Sequence, residues 1–401
     1  MPGPMDGVKV VEMGVWIAGP AAGGILADWG ADVIKIEPPG VGDPARLFQG
    51  MFGVELPCNP IFENDNRSKR SIVIDLSKET GRSLALELID AADVFVTNVR
   101  IKALERLGLD PSSLRARNPR LVCAAISGYG FDGPDADKAA FDISAFWARS
   151  GIAASLTSPG GHPPFQRGGM GDHNAGLAAA AAVSAALYSR EKTGKGQLVK
   201  TSLLREGIYT LSFDLSLGAR LGVPVAVADR KKMANPCINN YADKDGRWFW
   251  IVGLEAERHW PPLCRAVGHP EWIDDTRFAT AADRGQHAEE IIAELDAIFA
   301  TKTRAQWTEV FDLEPDLWWA PVQNSEEVLA DPQVLAAGGL IEVPDGAGTT
   351  LLPATPVDFE GTPWAPRAMA PSHGEHSDEV LRDLGRSEDQ IKRLREQAVV
   401  G

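Results

Sequence analysis

The segment Gly168-Gly169-Met170-Gly171-Asp172-His173-Asn174-Ala175-Gly176 sets a carboxylate where a glycine-rich loop runs into an alanine-rich stretch. Glycines let backbone N–H groups come close to a ligand, and a helix N-terminus favours negative charge. Asp172 is therefore a candidate catalytic carboxylate. The same geometry serves an ordinary N-cap that accepts from the orphan amides of a helix, and on this motif alone the cap is the better reading.

Other loops carry groups suited to an anionic ligand. Val10-Val11-Glu12-Met13-Gly14-Val15-Trp16-Ile17-Ala18-Gly19-Pro20 reads as a strand, a loop and a helix start. It could pass for a dinucleotide-binding turn, but G-x-G-x-x-G is missing, which disfavours a nicotinamide-dependent oxidoreductase. Lys35 and Glu37 stand at the end of the next apolar run, followed by Gly42-Asp43-Pro44-Ala45-Arg46. Asn66-Arg67-Ser68-Lys69-Arg70, Thr97-Asn98-Val99-Arg100, Arg106 and Lys138 come further on. Lys69, Arg70, Arg100, Arg106 and Lys138 fall in loops or helix starts after strands, the edge where α/β folds bind ligands. Taken singly, each is better read as a solvated surface charge, as Lys35 and Glu37 are better read as fixing a strand end.

The elements that must position these residues are those of an α/β fold with a largely parallel sheet. Short apolar runs (Val8–Met13, Asp32–Glu37, Ser71–Asp75, Asp93–Thr97, Leu121–Ser127 and Gln197–Ser202) alternate with helix-like segments. Ala18–Gly30, Thr80–Ala91 and Ile101–Leu107 read as helices, and the run Ala175–Lys192 is the clearest helix of the chain. A long helix is expected through Leu203–Leu221. Composition then shifts: from about Val223 to about Asp331 the chain holds most of its tryptophans and reads as a small α/β unit. Within it Asn239–Val252 is expected to form a hairpin, and Glu257–Val267 and Gln286–Thr301 helices. We therefore expect residues 1–222 and 332–401 to build one large Rossmann-like domain, with residues 223–331 inserted as a smaller one.

Bulk properties narrow the function classes. The 401 residues carry 44% hydrophobic and 24% charged side chains, as a globular protein does. A net charge of −15 disfavours nucleic acid and anionic membrane as partners, so an anionic ligand must meet local basic groups. Neither a membrane-spanning run nor a signal-peptide pattern is present, and Cys58, Cys123, Cys237 and Cys264 lack zinc or disulfide spacing. A reducing cytoplasm is the expected location.

Taken together, the ordered segments above resemble the family III CoA-transferases, the carnitine- and formyl-CoA-transferase group. Arg190-Glu191-Lys192-Thr193-Gly194-Lys195-Gly196-Gln197 and His373-Gly374-Glu375-His376-Ser377 extend the likeness over nearly the whole chain. The resemblance implies that Asp172 is the nucleophile that carries CoA as an aspartyl thioester, with N–H groups of the Gly168, Gly169 and Gly171 loop as oxyanion donors. It implies CoA contacts from Val15, Trp16, Ile17 and Ala18, and from Arg46, Lys69, Arg70, Asn98, Arg100, Arg106 and Lys138. Coenzyme A and acyl-CoA are then substrates, with no metal and no permanently bound cofactor. It further implies an interlocked, ring-like homodimer.

Two alternatives stay in view. The α-methylacyl-CoA racemases of the same superfamily use a histidine before the aspartate of a segment matching Ala140-Phe141-Asp142-Ile143; here Phe141 cannot titrate, though His162 and His173 lie near in sequence. A non-catalytic CoA-binding protein would bind without turnover. The consecutive glycines of the formyl-CoA branch have no counterpart around Met233-Ala234-Asn235-Pro236-Cys237, which argues against oxalate and formate. Trp248, Trp250, Trp260, Trp318 and Trp319 suit either an apolar acyl pocket or the small domain's core.

Overall fold

A computed structural model describes residues 3–48, 56–223, 227 and 229–401. The chain divides into two compact units, one made of Met1–Ser155, Pro164–Val225 and Ala336–Gly401, the other of Leu156–Pro163 and Ala226–Leu335.

In the first unit, β1 (Lys9–Met13), β2 (Asp32–Glu37), β3 (Arg70–Val73), β4 (Val94–Thr97), β5 (Val122–Ser127) and β6 (Leu198–Ser202) form one sheet in the order β3-β2-β1-β4-β5-β6. Every pairing is parallel. Neighbouring residues of a strand point to opposite faces, so both faces need cover. Val10, Val33, Val94 and Ala124 face a layer containing the first helix (Ala18–Asp28) and the long helix (Met170–Thr193). Val11, Ile36, Ile72 and Phe95 face the helix Glu79–Asp90 and the two C-terminal helices, Ser377–Asp383 and Glu388–Glu396. The first and long helices lie close because their contact surfaces are glycine and alanine: a Cβ on Gly176 would stand 2.7 Å from Ala21 Cβ.

The strand order reverses direction at β1, which pairs with β2 on one side and β4 on the other. This is the switch point at which open α/β sheets leave a crevice beyond the strands' carboxyl ends.

The second unit holds an antiparallel sheet of β7 (Ile238–Ala242), β8 (Trp248–Val252) and β9 (Trp319–Pro321). Its core is aromatic: Tyr241, Phe249, Trp260, Phe299, Trp307 and Phe311 are buried together. Of the tryptophans in doubt, Trp260 belongs to this core, Trp319 packs against it, and Trp248, Trp250 and Trp318 are exposed.

Three helices differ from expectation. The long helix begins at Met170, not Ala175, so Asp172 lies inside its first turn. The helix expected through Leu203–Leu221 is two, Leu203–Thr210 and Ser212–Leu221. Thr210 returns its hydroxyl to the Glu206 carbonyl at the break, a back-bond that bends helices. Gln286–Thr301 likewise splits around His287 into Ala281–Gln286 and Ala288–Phe299.

Candidate active site

A cleft of about 460 Å³ opens at the switch point of the first unit. Val15, Trp16 and Ala18 after β1, Asn98 and Arg100 after β4, and Lys138 beyond β5 all line it, and so does Asp172. Segments from Val15 to Leu203 thus converge because parallel strands deliver every such loop to one edge. Arg100 and Lys138 are exposed there and neither is held in an ion pair among the described residues. They supply the local positive charge that an acidic chain needs to hold an anion.

The long helix sets Asp172 in place. Gly169, at φ +79°, is the N-cap, a left-handed position that suits glycine. The first helical bond runs from His173 N–H to the Gly169 carbonyl at 2.8 Å, which leaves the N–H groups of Met170, Gly171 and Asp172 without helical partners. Asp172 is therefore not the N-cap, and its carboxylate accepts no hydrogen bond among the described residues. Gly171 packs inward: a Cβ there would lie 2.4 Å from Phe146 Cγ. Gly168 and Gly169 stand outside the cleft wall, and so does Gly171.

Burial, then the neighbouring Asp142 carboxylate, pushes the Asp172 acid up to about 7, and only His173 opposes them. His173 keeps its proton above the usual imidazole range: burial works against it, but its bond to Asp65 wins. Asp142 is buried and accepts from Gln166 Nε2 at 2.9 Å. It is set by a π-helix, Ile143–Ala148, whose Phe146 is the residue beneath Gly171. Nothing in the sequence marks that π-turn. The Asp142 position was visible only as the neighbour of Phe141.

The loop after β1 has no strand partners for its peptide groups, and side chains replace them. Asn98 accepts from Val15 N–H at 2.9 Å and donates to the Val15 carbonyl at 2.8 Å. Asp43 accepts from Trp16 N–H at 2.9 Å and so holds a non-glycine residue at φ +63°. Lys35 Nζ donates to the Gly14 carbonyl at 2.9 Å.

Lys35 also pairs with Glu12 at 2.8 Å and Asp43 at 2.9 Å, and Lys69 with Glu12 at 2.6 Å. Glu37 accepts from Asp43 N–H and from Arg46. Three acids and three bases thus close on one another beneath the loop, and burial of an ion is tolerated only in such company. Burial opposes ionisation of Glu37, but the Arg46 hydrogen bonds hold its carboxyl down at about 2.

This network answers several sequence expectations. Lys69 is buried and also donates to the Pro20 carbonyl and Asn66. Arg46 makes a two-pronged contact with Glu37, and Arg70 pairs with Asp32, Glu379 and Asp383. Ile17 is buried and Arg106 exposed, both outside the cleft wall. The structure therefore brings Val15, Trp16, Ala18, Asn98, Arg100, Lys138 and Asp172 together, and leaves Ile17, Arg46, Lys69, Arg70 and Arg106 elsewhere. Lys35 and Glu37 do fix the strand end, within the network that suspends the loop.

A crevice beyond the carboxyl ends of a parallel sheet, lined by a carboxylate that accepts no hydrogen bond among the described residues, is where an α/β enzyme binds its ligand. The chain matches the model of CoA-transferase family III over residues 5–377 and belongs to that family. It is 34% identical over 401 residues to the (R)-2-hydroxy-4-methylpentanoate CoA-transferase of Clostridioides difficile, covering 99% of both chains. It is likewise 34% identical over 398 residues to the cinnamoyl-CoA:phenyllactate CoA-transferase of Clostridium sporogenes, covering 97% of this chain and 95% of that one. The crystal structure of a CaiB/BaiF family protein from Brucella suis superimposes with a TM-score of 0.84 at 29% identity, over 96% of this chain and all of that one. The protein is a CoA-transferase that moves coenzyme A from an acyl-CoA to a carboxylic acid.

Proposed function

We propose that CoA is carried between donor and acceptor on Asp172 as an aspartyl thioester. The observation that carries this is the Asp172 carboxylate itself, which faces the cleft with no hydrogen-bond partner among the described residues. An unpaired carboxylate with a raised pKa is a stronger nucleophile than an ordinary one.

In the first step a carboxylate oxygen of Asp172 attacks the thioester carbonyl carbon. The C–S bond breaks, CoA leaves as thiolate, and a mixed anhydride remains. The thiolate then attacks the aspartyl carbonyl and the anhydride C–O bond breaks, which frees the donor acid. The acceptor carboxylate attacks the aspartyl thioester and expels the thiolate again. Attack of that thiolate on the acceptor carbonyl gives the new acyl-CoA and restores Asp172. No proton is gained or lost over the cycle, so no general acid is required. The free N–H groups at the start of the long helix are the donors for each oxyanion. Val15, Trp16, Ala18 and Asn98 take the pantetheine, with Arg100 and Lys138 on the phosphates.

The enzyme works as a homodimer of interlocked chains, with residues 223–331 as the inserted small domain. A second copy is supported by the helix Ser212–Leu221, which has no buried residue, since so short a helix is marginal in water unless packed. Tyr209, Phe213 and Leu221 are exposed on these turns. The four cysteines are free thiols, as suits the cytoplasm.

Intact-mass measurement after incubation with acyl-CoA thioesters tests the intermediate. A CoA-sized adduct that maps to Asp172, is released by hydroxylamine and is absent from Asp172→Ala would support it. Transfer without any adduct at Asp172 would sink it.

A further inference from the structure

We propose that Trp16 and Phe141 form an aromatic wall that selects monocarboxylic acyl groups with an apolar body, aryl or branched alkyl, over dicarboxylic ones. This rests on the reading that acyl transfer takes place at Asp172 in the same cleft. Trp16, Phe141 and Asp172 all line that cavity. The Phe141 ring meets Trp16 edge-on, with centroids 5.7 Å apart and planes at 85°. Trp16 also meets Phe48 at 5.5 Å.

Phe141 is 60% exposed, unusual for so large an apolar side chain in a cleft. Its apolar surface gains from cover, and an edge-to-face pair offers a third ring the same geometry. The backbones of both residues are held in place. Trp16 is pinned by Asp43 in a left-handed conformation, which no flexible loop keeps unaided. Phe141 exchanges hydrogen bonds with Ser144, at 3.2 Å from its N–H and 2.8 Å to its carbonyl, and so is locked onto the π-helix that supports Gly171. π-turns are rare and frequently lie at functional sites.

The charge around Asp172 points the same way. The groups acting on it are Asp142, His173 and Asp65, and His173 is already committed to Asp65 at 3.0 Å. A second carboxylate on the acyl group would meet two aromatic faces beside Asp172, on which the charges of Asp142 and Asp65 already act. Arg100 and Lys138 in this cleft are the groups assigned to the CoA phosphates, so such an anion would be left without a partner, which is strongly disfavoured.

The test compares steady-state transfer from phenylpropionyl-CoA, 4-methylpentanoyl-CoA and succinyl-CoA in the full-length enzyme, in Phe141→Ala and in Phe141→Arg. Phe141 is exposed, so both variants are expected to fold, and thermal melting confirms it. We expect the native enzyme to favour the two apolar thioesters over succinyl-CoA by at least tenfold in kcat/KM. Phe141→Ala cuts that ratio tenfold or more, and Phe141→Arg moves it towards succinyl-CoA. Equal or better use of succinyl-CoA by the native enzyme overturns the proposal, as does a ratio unchanged within twofold in Phe141→Ala. The ratio is read from overall transfer, so loss of the mass adduct alone counts against the Asp172 thioester and leaves the wall standing.

Discussion

His173 Nε2 stands 3.0 Å from Asp65 Oδ1, and this pair lines a second cavity, of about 390 Å³, while the preceding residue, Asp172, lines the reaction cleft. Consecutive residues in the first turn of one helix therefore serve different cavities. The pair is nonetheless electrically close to Asp172, because a protonated His173 is the one group that favours the Asp172 anion.

A pH dependence follows. Burial and Asp142 raise the Asp172 pKa to about 7, and only the anion attacks. The rate of the first half-reaction should rise with pH through about 7, with unit slope below it. His173→Gln removes the favourable cation and should move this limb to higher pH. Asp142→Asn removes the unfavourable anion and should move it to lower pH. Single-turnover rates between pH 5.5 and 8.5 read all three, and limbs that stay together in the variants would contradict the assignment.

Gly171→Ala should destabilise the fold and slow the chemistry together. Its Cβ would fall 2.4 Å from the Phe146 ring, and overpacking of this kind costs about 1–3 kcal/mol. Thermal melting reads the first effect. Hydroxylamine-trapped adduct reads the second, since the helix start must shift and carry Asp172 with it.

Asp43→Ala strips the acceptor from Trp16 N–H and one partner from Lys35. Breaking a buried pair costs about 3–5 kcal/mol, so the urea midpoint should fall markedly. Asp43→Asn keeps an acceptor oxygen for Trp16 and should hold the KM for acyl-CoA nearer the native value than Asp43→Ala does.

If the proposed dimer forms, the native protein should scatter light as a dimer and Phe213→Asp should lower its thermal midpoint, since the helix Ser212–Leu221 has no buried residue among the described residues of its own chain. A native protein that is already monomeric at micromolar concentration would remove the basis for a second copy.

The sequence made the sheet legible because β1, β2, β4 and β5 are buried apolar runs bounded by breakers, and such runs have few other homes. The start of the long helix was hidden for the opposite reason: Met170–Asn174 has no apolar period and three polar residues after a glycine. Asp172 stood out by type and spacing together with the family likeness, and the structure sets it in the cleft wall. The basic residues fared worse. Arg70 and its partners Glu379 and Asp383 are about 310 positions apart, and no local pattern tells such a committed guanidinium from a free one. Arg100 and Lys138 differ from Lys69 only in what the fold puts beside them.

The six charges under the Trp16 loop (Glu12, Glu37 and Asp43 with Lys35, Lys69 and Arg46) sum to zero, and all but Arg46 are shut away from water. Loss of any one leaves a stranded ion, whereas loss of a matched acid and base leaves neutrality intact. Across descendants of this chain these positions should consequently drift in pairs, and a lone change at one of them should mark a lineage in which the loop has ceased to hold its ligand.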